Sequence, residues 1–282
     1  MRTRLRRAWM GLATLAGRPR GFFSPYRYAE GVVAPAGYPV LETRFAAAFD
    51  AAPTGGMAVP ADVVAAIGAV AGELSALGGP APAPRWEQTW YPRLDGAAAY
   101  AILRAAPPRR VIEVGSGHST RFMARAVADA GSGTRITCID PAPRAALMDL
   151  SVDWQRRLLA PADVEAFAAL GPGDVALFDS SHLLWPGSDV DLILNAILPA
   201  LRPGVLVHLH DILLPDPYPD AWAWRGYTEQ LGLSGWLAGG GARILWSSHY
   251  ALTRRGADRL PAIAPLPLVG EAPETALWLV RA

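Results

Sequence analysis

The stretch from Val111 to Asp140, VIEVGSGHST RFMARAVADA GSGTRITCID, constrains the fold more than any other part of the chain. It opens with strand-forming residues ending in Glu113-Val114 and turns sharply through Gly115-Ser116-Gly117. Phe122, Met123, Ala126 and Val127 then recur at helical spacing, and a second strand, Arg135 to Ile139, is closed by Asp140. Strand, glycine turn, helix, strand and acid in this order make a βαβ unit of about thirty residues, the plan of a nucleotide-binding half-fold. Gly115 and Gly117 lack Cβ, which lets the backbone take a left-handed turn and approach a ligand closely. Asp140 stands twenty residues beyond Thr120, at a strand tip where a carboxylate can accept from both hydroxyls of a ribose.

Composition removes several classes of function. The chain has 282 residues, of which 51% are hydrophobic, enough to fill a core, and a net charge of +1, which gives no bulk electrostatic case for nucleic acid. All twenty-six basic residues are arginine. Without lysine there is no Schiff base for pyridoxal phosphate and no Walker-type lysine for a triphosphate. The single cysteine, Cys138, lies inside a strand as a buried thiol, which excludes disulfides and cysteine-based zinc sites and fits a reducing, cytoplasmic compartment.

Residues 1–20 carry Arg2, Arg4, Arg6, Arg7, Arg18 and Arg20 around a short apolar run, with Leu5, Trp9, Leu12 and Ala16 on one helical face. The run is too short to span a bilayer, so this segment is expected to be a basic helix, with peripheral contact to the inner face of a membrane as its functional reading. An aromatic, proline-broken stretch, FFSPYRY from Phe22 to Tyr28, follows. Val63, Ile67, Val70, Leu74 and Leu77 then mark an amphipathic helix that Gly78-Gly79-Pro80 ends. The GGPAPAP run reads as a linker, giving an N-terminal basic and aromatic helical appendage over 1–84 and a main domain over 85–282.

Beyond Trp86 helices and apolar strands alternate. Helices are expected about Asp95–Arg104, Ala162–Ala169, Asp189–Leu201 and Trp222–Leu237. Strands are expected near Arg157–Ala160 and at Val175–Phe178, Val205–Leu209, Arg243–Trp246 and Ala276–Val280. This is the pattern of a doubly wound α/β sheet, mostly parallel and covered on both faces. In such sheets function gathers at the carboxyl ends of strands. Asp179-Ser180-Ser181-His182 follows the fourth strand and His210-Asp211 the fifth. If those strands are neighbours their ends lie about 5 Å apart, and Asp179, His210 and Asp211 converge as a donor set suited to a divalent cation. His182 reaches the same pocket as a candidate base toward a hydroxyl. His208 is expected to be buried and hydrogen-bonded, whereas His118 and His249 have no partner that the sequence names. Tyr218, Trp222, Trp224 and Tyr227 form a possible aromatic wall or lid.

These residues carry a resemblance. From about Trp86 onward the chain resembles class I S-adenosylmethionine-dependent methyltransferases, and among them a bacterial group with the patterns ExGSGxST, FxDSSH and VHxHDI, present here as Glu113–Thr120, Phe178–His182 and Val207–Ile212. The FFSPYRY stretch is also similar to that group's N-terminal segment. The resemblance implies a Rossmann-like seven-stranded sheet with an antiparallel last strand and S-adenosylmethionine across its first strands. Glu113, Gly115, Ser116 and Gly117 would then face the methionine part, Asp140 the ribose, and Ala162 and Asp163 the adenine. Metal-dependent O-methyltransferases of this fold have metal ligands at the positions of Asp179, His210 and Asp211 and a base at that of His182. They usually have an aspartate in place of His210, and an imidazole there shifts preference from magnesium toward manganese, iron or zinc.

The expected function is methyl transfer to a hydroxyl of a small acceptor, a sugar or another secondary metabolite. A nicotinamide-dependent oxidoreductase shares ribose recognition, but its fingerprint wants a third small glycine where Thr120 stands. A non-catalytic cofactor-binding assembly protein is the alternative from another class.

Overall fold

The computed structural model describes residues 2–18, 20–21, 26–33, 35–51, 60 and 62–282. Phe22 to Pro25 of the FFSPYRY stretch lie outside the described residues. The chain divides into two compact units, Met1–Ala36 and Gly37–Ala282. That division lies upstream of the Gly78–Pro84 run at which composition suggests a boundary.

The first unit holds the helix Arg2–Leu15 and a 3-10 turn, Ala29–Gly31. The helix ends where Gly17 takes φ +78° and Arg20 N donates to Thr14 Oγ1 at 2.9 Å.

In the second unit a seven-stranded sheet runs β3-β2-β1-β4-β5-β7-β6. Its strands are β1 Arg110–Val114, β2 Arg135–Ile139, β3 Asp153–Gln155, β4 Val175–Phe178, β5 Leu206–Leu209, β6 Ala242–Ser247 and β7 Leu277–Arg281. β1 to β5 pair in parallel, and β7 lies between β5 and β6, antiparallel to both. This is the doubly wound, Rossmann-like sheet with an antiparallel last strand that the sequence resemblance implies.

Alternate residues of the central strands feed two cores, as a pleated strand covered on both sides requires. Val175 and Leu177 join one cluster with the helices Val63–Ala69, Arg93–Ala105 and His118–Asp129. Ala176 and Phe178 join the other, with Pro39–Asp50, Asp189–Leu192 and Glu229–Ala238. The expected apolar face Val63, Ile67, Val70, Leu74 and Leu77 is buried in the first cluster. It comes from two short helices, Val63–Ala69 and Ala71–Ala76, that break at Val70; Asp62 caps the first by accepting from Ala65 N at 3.0 Å.

Two elements depart from expectation. The third strand is Asp153–Gln155, upstream of Arg157–Ala160, because the pairing partners of Thr137 to Ile139 are Asp153 to Gln155 while Leu158 is exposed. The expected helix from Trp222 to Leu237 is a 3-10 turn, Asp220–Trp222, and a helix, Glu229–Ala238, separated where Gly226 takes φ +68°. The helices Pro39–Asp50 and Ser248–Arg255 were not read from the sequence.

The register positions the site. Val114 is opposite Ile139 and Phe178, and Phe178 is opposite Leu209. The residues that follow these four, Gly115, Asp140, Asp179 and His210, therefore stand in a row along the carboxyl edge of the sheet.

Candidate active site at the carboxyl edge of the sheet

The β1–β2 half is held by hydrogen bonds from main chain and hydroxyls. Glu113 is fully buried at the end of β1, its two oxygens accepting from Ser119 Oγ at 2.6 Å and Thr120 Oγ1 at 2.5 Å. Burial pushes its carboxyl up to about 7 against the pull of those hydroxyls. Gly117 N donates to Thr120 Oγ1 at 2.9 Å, so Glu113 shapes the turn through the helix start that follows it. Asp140 closes the turn from the other side: its carboxylate accepts from Ser116 N and Ala142 N, both at 2.6 Å. Gly115 has φ +78°, and a Cβ on it would lie 1.7 Å from the carbonyl oxygen of Asp179. Only glycine allows the first turn and the end of β4 to touch in this way.

Asp163 sits on the 3-10 turn Pro161–Asp163 with Arg157 bidentate on its carboxylate at 2.6 and 2.7 Å and Ala160 N at 2.8 Å. The Arg157 hydrogen bonds hold its pKa below the usual carboxylate value. Its acid is therefore used to fix the loop, and Ala162 beside it is exposed.

The β4–β5 half is built from charged side chains. His182 and Asp211 have left-handed backbones, with φ +60° and +56°. Such conformations in non-glycine residues cost roughly 1–3 kcal/mol each and cluster at functional sites. The His182 turn is held by its own carbonyl, which accepts from Thr228 N and Glu229 N at 2.9 and 3.2 Å. Its ring is buried with Nδ1 2.8 Å from Glu229 Oε2, and Nε2 lies 3.2 Å from Asp179 Oδ1 and 3.6 Å from Asp211 Oδ2. Tyr227 covers the ring at a centroid distance of 4.5 Å. His210 is oriented in the same manner. Its Nε2 is 3.1 Å from Asp95 Oδ2, and Asp95 is pinned by Thr275 N at 3.0 Å and Ala276 N at 2.9 Å. The Nδ1 of His210 lies 3.7 Å from Asp179 Oδ1 and 3.8 Å from Asp211 Oδ1. Two imidazoles, each backed by a buried carboxylate, thus turn their free nitrogens toward the same two aspartates.

Burial alone would lower the His182 pKa, but the hydrogen bonds its ring donates to Asp179 and Glu229 outweigh it and push the value up to about 10. For His210 burial is likewise outweighed by Asp179 and Asp95, so its pKa is raised as well. Burial would raise Asp179, yet the two imidazoles hold it below the usual carboxylate range.

The donor chemistry of Asp179, His210 and Asp211 suits a divalent ion, and the carboxylate behind His210 is the usual support of a metal-bound imidazole. The arrangement is nevertheless one of paired charges. Among the described residues no group of three or more such side chains is disposed to hold a metal ion. Beside the contact of Gly115 with Asp179, Ser180 Oγ is buried without a hydrogen-bond partner.

Sequence reasoning missed Asp95, Glu229 and Arg225. Asp95 did leave a signal, a lone carboxylate in the apolar helix Arg93–Ala105. Glu229 and Arg225 left none, since only the fold brings them to His182 and Asp211. Arg225 lies 3.7 Å from Asp211, bonds Tyr227 OH at 2.9 Å and stacks over Trp222 at 4.3 Å, while Tyr218 packs on Trp222 and Tyr227. His208 is buried beside Tyr91 OH at 3.4 Å. His249 pairs with Asp216 at 2.6 Å, and His118 is buried at the helix start with Nδ1 unpartnered, both away from the cluster of His182 and His210 in their hydrogen bonding.

No curated protein sequence matches the chain. Among solved structures, an apo form of CmcI is similar over 70% of this chain and 76% of its own, at 12% identity and a TM-score of 0.43. An O-methyltransferase from Bacillus cereus in complex with SAH is similar over 86% of this chain and 99% of its own, at 14% identity and a TM-score of 0.42. MycE from the mycinamycin biosynthetic pathway, with Mg, SAH and mycinamycin VI, gives 18% identity and a TM-score of 0.35 over 64% of this chain and 46% of its own, so the chain spans less than half of MycE. Residues 112–212, which run from β1 past β5 and contain the glycine turn, Asp140, His182 and His210-Asp211, match a family model described as a methyltransferase domain.

Proposed function

We propose that the chain is an S-adenosylmethionine-dependent methyltransferase acting on a hydroxyl oxygen of a small acceptor, a sugar or another secondary metabolite, with residues 85–282 as the catalytic part. The observation that carries this reading is the seam at Gly115 and Asp179, where the glycine turn that would hold the nucleotide touches the loop that carries the buried imidazole of His182. S-adenosylmethionine supplies an electrophilic methyl group on a sulfonium.

The residues of the chain divide the remaining work. Asp140 accepts from the ribose hydroxyls, and the turn from Gly115 to Gly117 lets the main chain lie against the methionine part, with Ala162 beside the adenine. His182 Nε2 takes the proton of the acceptor hydroxyl as its oxygen lone pair forms the new C–O bond and the electrons of the breaking S–CH3 bond stay on sulfur. Glu229 holds the ring through Nδ1 and leaves Nε2 facing the acceptor. In the resting network Asp179 and Glu229 raise the His182 pKa against the effect of burial. A sulfonium bound beside His182 would oppose that shift by like-charge repulsion. Tyr218, Trp222, Trp224 and Tyr227 with Arg225 form the acceptor wall. By donor chemistry alone Asp179, His210 and Asp211 would be the ligands of a divalent cation and would let it polarise the acceptor oxygen, although as paired here they are not disposed to hold one.

Calorimetry with S-adenosylmethionine and with NAD tests the first step: binding of the former, competed by S-adenosylhomocysteine, is expected. Binding of NAD alone would favour an oxidoreductase. Mass spectrometry of a hydroxylated-metabolite panel should then find a product heavier by one methylene. Cofactor binding without any product from a broad panel would favour a non-catalytic assembly role. Loss of turnover in chelator, with recovery on adding magnesium, manganese, iron or zinc, separates metal-assisted from metal-free transfer.

A further inference from the structure

We propose that the helix Arg2–Leu15 docks the protein on the surface of an anionic lipid bilayer, lying in the interface plane. Three of the four residues of the expected apolar face lie bare on this helix, Leu5, Trp9 and Leu12 at 65%, 60% and 67% exposed, and Leu15 at its end is 68% exposed, while the fourth, Ala16, falls just past the helix. Leu5, Trp9 and Leu12 recur at spacings of four and three, so they share one side of the helix. Half of the large apolar side chains that are exposed among the described residues belong to the unit Met1–Ala36, and Tyr26 and Tyr28 are among them.

Charge selects the partner. The first acidic residue of the chain is Glu30, after Arg2, Arg4, Arg6, Arg7, Arg18, Arg20 and Arg27. Arg6, Arg7, Arg18 and Arg20 are exposed, and the latter two lie past the helix C-terminus, where the chain is folded back by the Thr14 hydrogen bond. A narrow apolar stripe with a Trp, surrounded by arginines and free of acids, matches the acyl boundary and the phosphate layer of an anionic leaflet. No helix among the described residues is long and apolar enough to cross a membrane, so the contact is one of lying on the surface. The arginines provide long-range attraction that salt screens, and the stripe provides the buried area.

The test is co-sedimentation of the full chain with vesicles of phosphatidylglycerol and phosphatidylcholine, compared with vesicles of phosphatidylcholine alone, at low and high salt. Binding is expected to the anionic vesicles only and to fall at least about tenfold at high salt. Arg6→Glu/Arg7→Glu and, separately, Trp9→Asp should each lower the partition coefficient about tenfold while leaving the thermal melt of the protein unchanged. No binding to anionic vesicles at low salt overturns the proposal, and so does equal binding to both compositions. Sedimentation equilibrium without lipid names the competing occupant: self-association abolished by Trp9→Asp would assign the stripe to a second copy of the chain instead.

Discussion

At the β1–β2 end of the carboxyl edge, the groups that meet are main-chain N–H donors, two hydroxyls and the carboxylates of Glu113 and Asp140 that accept from them. At the β4–β5 end, a few residues away across the Gly115–Asp179 contact, they are two imidazoles and four carboxylates, with two backbones in the left-handed region. The first half is built locally, within the span Glu113 to Ala142. The second draws on Asp95, Asp179, His182, His210, Asp211, Glu229 and the backbone of Thr275 and Ala276, which the chain delivers from five separate segments. The difference fits the proposed division of work, with the main-chain turn beside the nucleotide and the paired charges beside the acceptor.

Substitutions on either side of the seam should separate binding from chemistry. The largest effect is expected from His182→Ala, which should lower methyl transfer on the order of 10²–10⁴-fold while leaving S-adenosylmethionine affinity unchanged in calorimetry. An equal loss of affinity would mean that the two halves are not independent. Gly115→Ala attacks the seam itself. With its Cβ 1.7 Å from the Asp179 oxygen and φ at +78°, it should cost about 3 kcal/mol or more of stability in urea denaturation and damage both halves at once.

Asp140→Ala should weaken S-adenosylmethionine by about 1.5–3 kcal/mol, since it removes a charged acceptor. Transfer at saturating cofactor should be nearly unchanged if the halves are separable. Glu229→Gln should have the smallest effect, about tenfold in rate, with a diagnostic sign. Removing one of the two carboxylates that raise His182 lowers its pKa, so the rise in rate with pH that reports the free base should move to lower pH.

The same pairing makes a stability prediction. His182 is pushed up to about 10 in the fold from the ordinary imidazole value of 6.5, so its contribution is complete below about 6.5 and is lost as pH rises through about 10. Wild-type protein should therefore lose stability over that window in urea titrations. His182→Ala should lose less.

The architecture was legible because its signals are local. Glycine at 115 and 117 followed by a helix of period 3.6, and the apolar runs Arg135–Ile139 and Val175–Phe178, report φ/ψ and pleat directly, and those two strands were found with the bounds expected. Errors arose where tertiary pairing decides. Arg157–Ala160 has strand-like composition, but the edge of β2 is taken by Asp153–Gln155, and the aromatic segment after β5 is interrupted at Gly226 so that Thr228 and Glu229 can bind the His182 carbonyl.

Taken alone, the sequence determined the elements of the βαβ opening and the apolar face of the basic first helix, because each is a pattern of residues close together along the chain. Only the tertiary structure decided what the strand-tip residues face. That Asp95 and Glu229 are the groups behind His210 and His182 depends on contacts spanning 115 and 47 residues, and no periodicity records a contact of that length. The ionisation of His182 was decided there too, because its pKa is set by the balance between burial and the two carboxylates that the fold places beside it.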